Sequence, residues 1–126
     1  MKIQPSRWTF LDYVDVNGIN KVAEWLSSLP IDARVEFEVL LDTLKAKELL
    51  TRPETGILTK ECKGLCEFVF KKHNIQYRPL FCYGPGKREI TILAGAKKMN
   101  NRLIPPDICK TALNRKNDVT KNKTQV

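Results

Sequence analysis

Arg78, Lys97 and Lys98 are the residues of this chain best suited to do chemistry. Arg78 lies in a strand-like run over residues 75–83, and the two lysines directly follow a second run over residues 89–95. Cations presented by strands are held firmly enough to grip a phosphodiester and to stabilise charge building up on phosphorus. Arg78 stands in an otherwise apolar strand, so its guanidinium needs a partner there. Glu67 or Glu89 would make it an ion pair, and a phosphate would make it a binding group. Both readings stand at this point. Lys60, Lys63, Lys87, Arg88, Arg102, Arg115 and Lys116 are candidates to extend the surface along a polyanion such as RNA.

Other chemistries are poorly supplied. His73 is the only histidine, which excludes a two-histidine ribonuclease mechanism. It sits among Lys71, Lys72 and Asn74 in an expected hairpin turn, where an exposed turn residue is the simpler reading than a general base. There is no Ser-His-Asp, Cys-His, Walker-type or paired-carboxylate pattern. On an extended segment Cys62 and Cys66 would lie roughly 13 Å apart, too far to share a zinc ion. No metal or cofactor is expected. The four cysteines, Cys62, Cys66, Cys82 and Cys109, are read as reduced and packed.

The elements that must position these residues follow from periodicity. Residues 8–13 are rich in aromatic and β-branched side chains and predict a first strand. Val22, Trp25, Leu26 and Leu29 recur at helical spacing after Asn20, a plausible N-cap, and Pro30 closes that helix. Pro30 also suits the start of a second helix, with Asp32 near its positive end and Ala33, Phe37, Leu40, Leu41 and Leu44 forming one apolar stripe. From Ile57 onwards the pattern turns to strands over residues 65–70, 75–83 and 89–95, with Gly84-Pro85-Gly86 turning between the last two. Pro79 cannot donate to a ladder and predicts an edge or a bulge. A polar loop follows Lys98, and residues 107–116 predict a short final helix. The fold class is α+β: a small antiparallel sheet with two N-terminal helices and a short C-terminal one, in the order β-α-α-β-β-β-α. Residues 1–116 form a single domain, and residues 117–126 read as a flexible polar tail.

Composition agrees with one globular domain: 126 residues, 42% hydrophobic. No apolar run approaches the roughly 18 residues that a membrane span requires, and the first residues carry no apolar signal core, so a cytoplasmic protein without membrane contact is expected. The net charge of +8 is unevenly spread. Residues 1–56 hold seven Lys and Arg against nine Asp and Glu, residues 57–116 thirteen against four, and the remainder two against one. The excess thus belongs to the predicted strands, which points to a polyanionic partner.

Lys63-Gly64-Leu65-Cys66-Glu67-Phe68, Tyr77-Arg78, Ile92-Leu93-Ala94-Gly95-Ala96-Lys97-Lys98, Pro105 and Ala112-Leu113-Asn114-Arg115 together resemble the RelE/ParE toxin superfamily, in particular its phage-derived HigB-like branch. The resemblance extends from about Trp8 to Lys116. It implies a RelE-like fold and the toxin of a type II toxin–antitoxin pair, acting as a ribosome-dependent messenger RNA endonuclease and neutralised by a helix-turn-helix antitoxin. By position it assigns Arg78 to the arginine after the aromatic residue of the middle strand, and Lys97 and Lys98 to the basic pair after the last strand. The segment with Lys63, Gly64 and Glu67 matches a structural part. Residues 107–126 contain no Tyr, Phe, Trp or His, whereas many RelE-type toxins place such a catalytic side chain there. Alternatives are a ParE-like toxin acting on DNA gyrase and a catalytically silent relative that binds RNA.

Overall fold

The computed structural model describes residues 7–122 and 124–126. Among these are strands β1 (Thr9–Asp12), β2 (Thr55–Ile57), β3 (Cys66–Phe68), β4 (Phe70–Lys72), β5 (Ile75–Tyr77), β6 (Leu80–Tyr83), β7 (Glu89–Ala94), β8 (Lys97–Met99) and β9 (Arg102–Ile104). Helices α1 (Lys21–Ser27) and α2 (Ile31–Lys45) follow β1, a single 3-10 turn spans Lys60–Cys62, and α3 (Ile108–Asn122) ends the order. The class is α+β, as the periodicity predicted, but the strands form two sheets rather than one small one. The first has the order β1-β7-β6-β3-β2 and the second β4-β5-β8-β9. All pairs are antiparallel except β1 with β7.

The larger number of strands arises because three extended segments cross from one sheet to the other. They cross at Val69, at Arg78-Pro79 and at Gly95-Ala96. Pro79 is the clearest cause. It has no N–H for a ladder, so the predicted strand over residues 75–83 breaks there, and its carbonyl accepts from Phe68 N at 2.9 Å. The register of β6 on β7 shifts between Leu80 and Phe81 at the same corner. Two tight turns then complete the second sheet. His73 and Asn74 adopt φ of 52° and 64° between β4 and β5, as a two-residue hairpin of the right hand requires. Asn100 and Asn101 do the same with φ of 50° and 62°, so the expected polar loop after Lys98 is the hairpin β8–β9.

The helices follow their sequence signals. Asn20 caps α1, its Oδ1 accepting from Ala23 N at 2.8 Å. α2 begins after Pro30 and buries Ala33, Phe37 and Leu44, with Leu40 and Leu41 packed against the same core. Phe37 stacks on Phe70 at 5.3 Å and meets Phe68 edge-on at 5.5 Å, which ties α2 to both sheets. α3 is not short: it runs 15 residues and buries Ile108, Ala112 and Val119. Residues 117–126 therefore begin as helix up to Asn122. Val126 N then donates to Asp12 O at 2.8 Å and Gln125 bridges to Tyr13, which lays the end of the chain beside β1. The expectation of four reduced cysteines is also corrected. Cys62 and Cys109, 47 residues apart in sequence, are joined by a disulfide between the 3-10 turn and α3, their Cα atoms 5.0 Å apart. Among the described residues no helix is long and apolar enough to cross a membrane.

Candidate functional site

The pairing of β5 with β8 decides where the predicted cations point. Gln76 is opposite Lys98 and Tyr77 is opposite Lys97, while Arg78 N donates to Ala96 O at 2.8 Å just beyond the last pair. Because side chains alternate along a strand, Gln76 and Lys98 share one face and Tyr77 and Lys97 the other. Lys71, opposite Gln76 in the β4–β5 pair, joins the first group. Arg78 joins it too, since its Nη2 donates to Gln76 Oε1 at 2.8 Å. We call this the outer face.

Arg78 stands at the corner where the chain leaves the second sheet. Its Nη1 donates to the carbonyl of Tyr77 at 2.9 Å, and its Nε lies 3.8 Å from Glu67 Oε1. These contacts aim the guanidinium and leave 11% of the side chain exposed. The two readings of Arg78 meet in one arrangement: it is paired with Glu67 and also lines a cavity of about 380 Å³ with Pro53, Glu54, Val69, Phe70, Lys71 and Gln76. Glu54 is the acid in that lining. The hydrogen bond from Lys47 Nζ, 2.8 Å from Glu54 Oε1, holds its carboxyl below the usual carboxylate range. An ionised carboxylate thus lies in the cavity that Arg78 lines, with Oε1 engaged and Oε2 buried without a partner.

Lys97 goes the other way. Its Nζ lies 5.9 Å from the centre of the buried Tyr77 ring, on the face that packs toward α1. There it lines a cleft of about 740 Å³ together with Trp25, Lys21 and Arg115. Gly95 closes the floor of this cleft, and no other residue fits, because an added Cβ would lie 1.9 Å from Trp25 Cδ2. The three predicted site cations therefore divide, with Arg78 and Lys98 on one face and Lys97 on the other.

The wider basic set divides as well. Lys60, Lys63, Lys87 and Arg102 are exposed, and Lys60 and Arg102 line one groove of about 540 Å³. The other three are engaged by the fold. Arg88 lies 3.8 Å over Trp8 and donates to the carbonyls of Arg7 and Glu48. Arg115 donates to Leu93 O at 2.9 Å, and Lys116 to Gly64 O at 2.8 Å. Sequence reasoning missed Arg52, whose Nη1 is 3.3 Å from Glu67 Oε2 while 63% of its side chain is exposed. Nothing near Arg52 in the chain signals this, because β2 and β3 bring it to Glu67 from 15 positions away.

The remaining reactive groups are inert or remote. His73 is an exposed turn residue hydrogen-bonded to Asp32 at the start of α2. Burial pushes the Cys82 thiol up to about 11, which leaves little thiolate at neutral pH. Burial likewise raises the hydroxyl pKa of Tyr77.

Residues 24–117 match the family of phage-derived Gp49-like proteins, and the chain belongs to that family, which is RelE-toxin-like. No curated protein and no solved structure matches the chain significantly.

Proposed function

We propose that this protein is the toxin of a type II toxin–antitoxin pair of the HigB-like kind, a messenger RNA endonuclease that cuts on the translating ribosome. The observation that carries the reading is the strand register that gathers Lys71, Gln76, Arg78 and Lys98 on one face. In the proposed reaction a ribose 2′-oxygen attacks the adjacent phosphorus. The bond from phosphorus to the 5′-oxygen breaks, leaving a 2′,3′-cyclic phosphate and a 5′-hydroxyl. One proton leaves the 2′-oxygen and one reaches the 5′-oxygen, and the extra negative charge of the phosphorane requires fixed cations. Arg78 suits that role because its fork is always charged, matches phosphate oxygens and is aimed by Tyr77 O and Gln76. Lys98 adds a second charge from the same face. The ribosome supplies substrate positioning, so few protein groups are needed. A helix-turn-helix antitoxin is the proposed neutralising partner.

Cleavage mapping on translating ribosomes tests the reading. Wild-type protein is expected to generate defined cut sites, and Arg78→Ala to reduce the rate by about a hundredfold or more, the usual effect of removing one group that stabilises transition-state charge. Thermal unfolding run alongside separates a lost site from a lost fold. Absence of cuts by wild type overturns the endonuclease reading, and inhibition of DNA gyrase supercoiling in its place would favour a ParE-like toxin.

A further inference from the structure

Glu67 is buried, 5% exposed, and carries a guanidinium at each of its two oxygens: Arg52 at Oε2, 3.3 Å, and Arg78 near Oε1, 3.8 Å. One negative charge between two positive ones leaves an excess of one, in a place where Arg78 is nearly covered and Arg52 faces solvent. The solvent-exposed Arg52 arm contributes little to stability, so its ion pair with Glu67 is a weak reason for placing a second arginine there. The seat of Arg52 is nevertheless well defined. Its guanidinium lies over Gly56, where an added Cβ would fall 2.3 Å from Arg52 Cζ, and Gly56 is paired with Glu67 across β2 and β3. Glu67 thus sits between the two planar forks, hydrogen-bonded to Arg52 and within ion-pair distance of Arg78, whose aim is also set by Tyr77 O and Gln76. Glu54 is the neighbouring acid, and Lys47 holds it. Lys71 adds a cation to the cavity that Arg78 lines.

We propose that Arg52 and Arg78, held apart by Glu67, form a two-arginine clamp on adjacent phosphates of single-stranded RNA, with Glu67 as the positioning residue. The clamp rests on the endonuclease reading and adds a second phosphate subsite to it, at a residue outside the basic strands. Guanidinium forks suit the task because each takes two phosphate oxygens at once, which fixes orientation as well as charge.

The test is equilibrium binding of a fluorescently labelled, unstructured 12-nucleotide RNA to the whole chain across a salt series. Arg52→Ala is expected to weaken binding about tenfold at low salt, the worth of one charge-assisted contact. The slope of log K against log salt should fall by about 0.7, the value for one phosphate contact on a single strand. Arg52→Lys restores the slope but not the full affinity, since a point charge replaces the fork. Glu67→Gln weakens binding although it adds positive charge, the opposite of what plain electrostatics gives. Unchanged slope in Arg52→Ala, unchanged or tighter binding in Glu67→Gln, or no binding by wild type overturns the clamp. If wild type still cuts RNA on ribosomes in those cases, the endonuclease reading survives the loss of the clamp; if wild type binds but never cuts, the reading fails and the clamp stands as an RNA-binding site.

Discussion

The ribbon made by β5 and β8 has two faces built from neighbouring residues, and they differ in almost every physical respect. On the inner face Tyr77 is 1% exposed, stacks on Phe70 at 4.9 Å and meets Trp25 edge-on at 6.4 Å. The Lys97 ammonium lies over the same ring. The hairpin tip is tied to α2 on this side, through His73 with Asp32 and Lys72 with Glu36 at 3.8 Å. On the outer face Gln76 and Lys71 are exposed and line an open cavity with Arg78, while half-buried Lys98 shares that face through its pairing with Gln76. Lys97 and Lys98 have identical chemistry and adjacent positions, yet strand alternation gives one to packing and the other to the solvent-facing cluster. A basic pair on a strand is therefore not a pair in space.

That contrast can be broken at several strengths. Tyr77→Ala removes a buried aromatic from the inner face and is expected to cost about 3–5 kcal/mol in urea or thermal unfolding. Lys71→Ala on the outer face is expected to stay within about 0.5 kcal/mol. Comparable losses would mean that the outer face is also core. The next effect separates the two lysines. Lys98→Ala should slow cleavage on ribosomes about tenfold, as for one lost charged contact to phosphate, with little change in unfolding. Lys97→Ala should leave cleavage near wild type and cost about 0.5–1 kcal/mol of stability, the worth of a partly exposed cation over an aromatic ring. A reversal of these two results would sink the assignment of faces.

Much of the scaffold was legible because its signals are local. The apolar stripe of α2, the Asn20 cap and the turn residues around His73 each depend on neighbours within a few positions, and each stands as predicted. What was hidden depends on distance or on weak periodicity. β8 has only Met99 as an apolar residue, so its hairpin with β9 rests on Asn100-Asn101, a left-handed pair easily read as loop. The last two turns of α3 bury Val119 among polar residues, too thin a pattern to extend the helix. Pro79 announced an irregularity but not that the chain would change sheets there. For the candidate site, the sequence singles out Arg78, Lys97 and Lys98 as one set, and only the strand register separates Lys97 from the other two. Arg52 and the Cys62–Cys109 bond are products of the tertiary fold, with no local pattern to reveal them.

The smallest expected effect concerns the pin at the hairpin tip, and its sign can be worked out. The hydrogen bond with His73 is the main reason that the Asp32 carboxyl sits below its ordinary range, with further help from the His73 and Lys72 charges and the Ala33 N–H. A carboxyl whose pKa is lower in the folded state stabilises the fold above its unfolded value of about 3.9, and that contribution disappears as pH falls through the lower folded value. Asp32→Asn should therefore melt slightly below wild type from neutral pH down to about pH 5, with the gap closing in stronger acid. Because the pin belongs to the inner side, the variant should speed hydrogen exchange at the turn between β4 and β5 without changing RNA affinity on the outer face. A matching loss of RNA binding would instead mean that the tip transmits strain through the ribbon, and that its two faces, separate in chemistry, are coupled in mechanics.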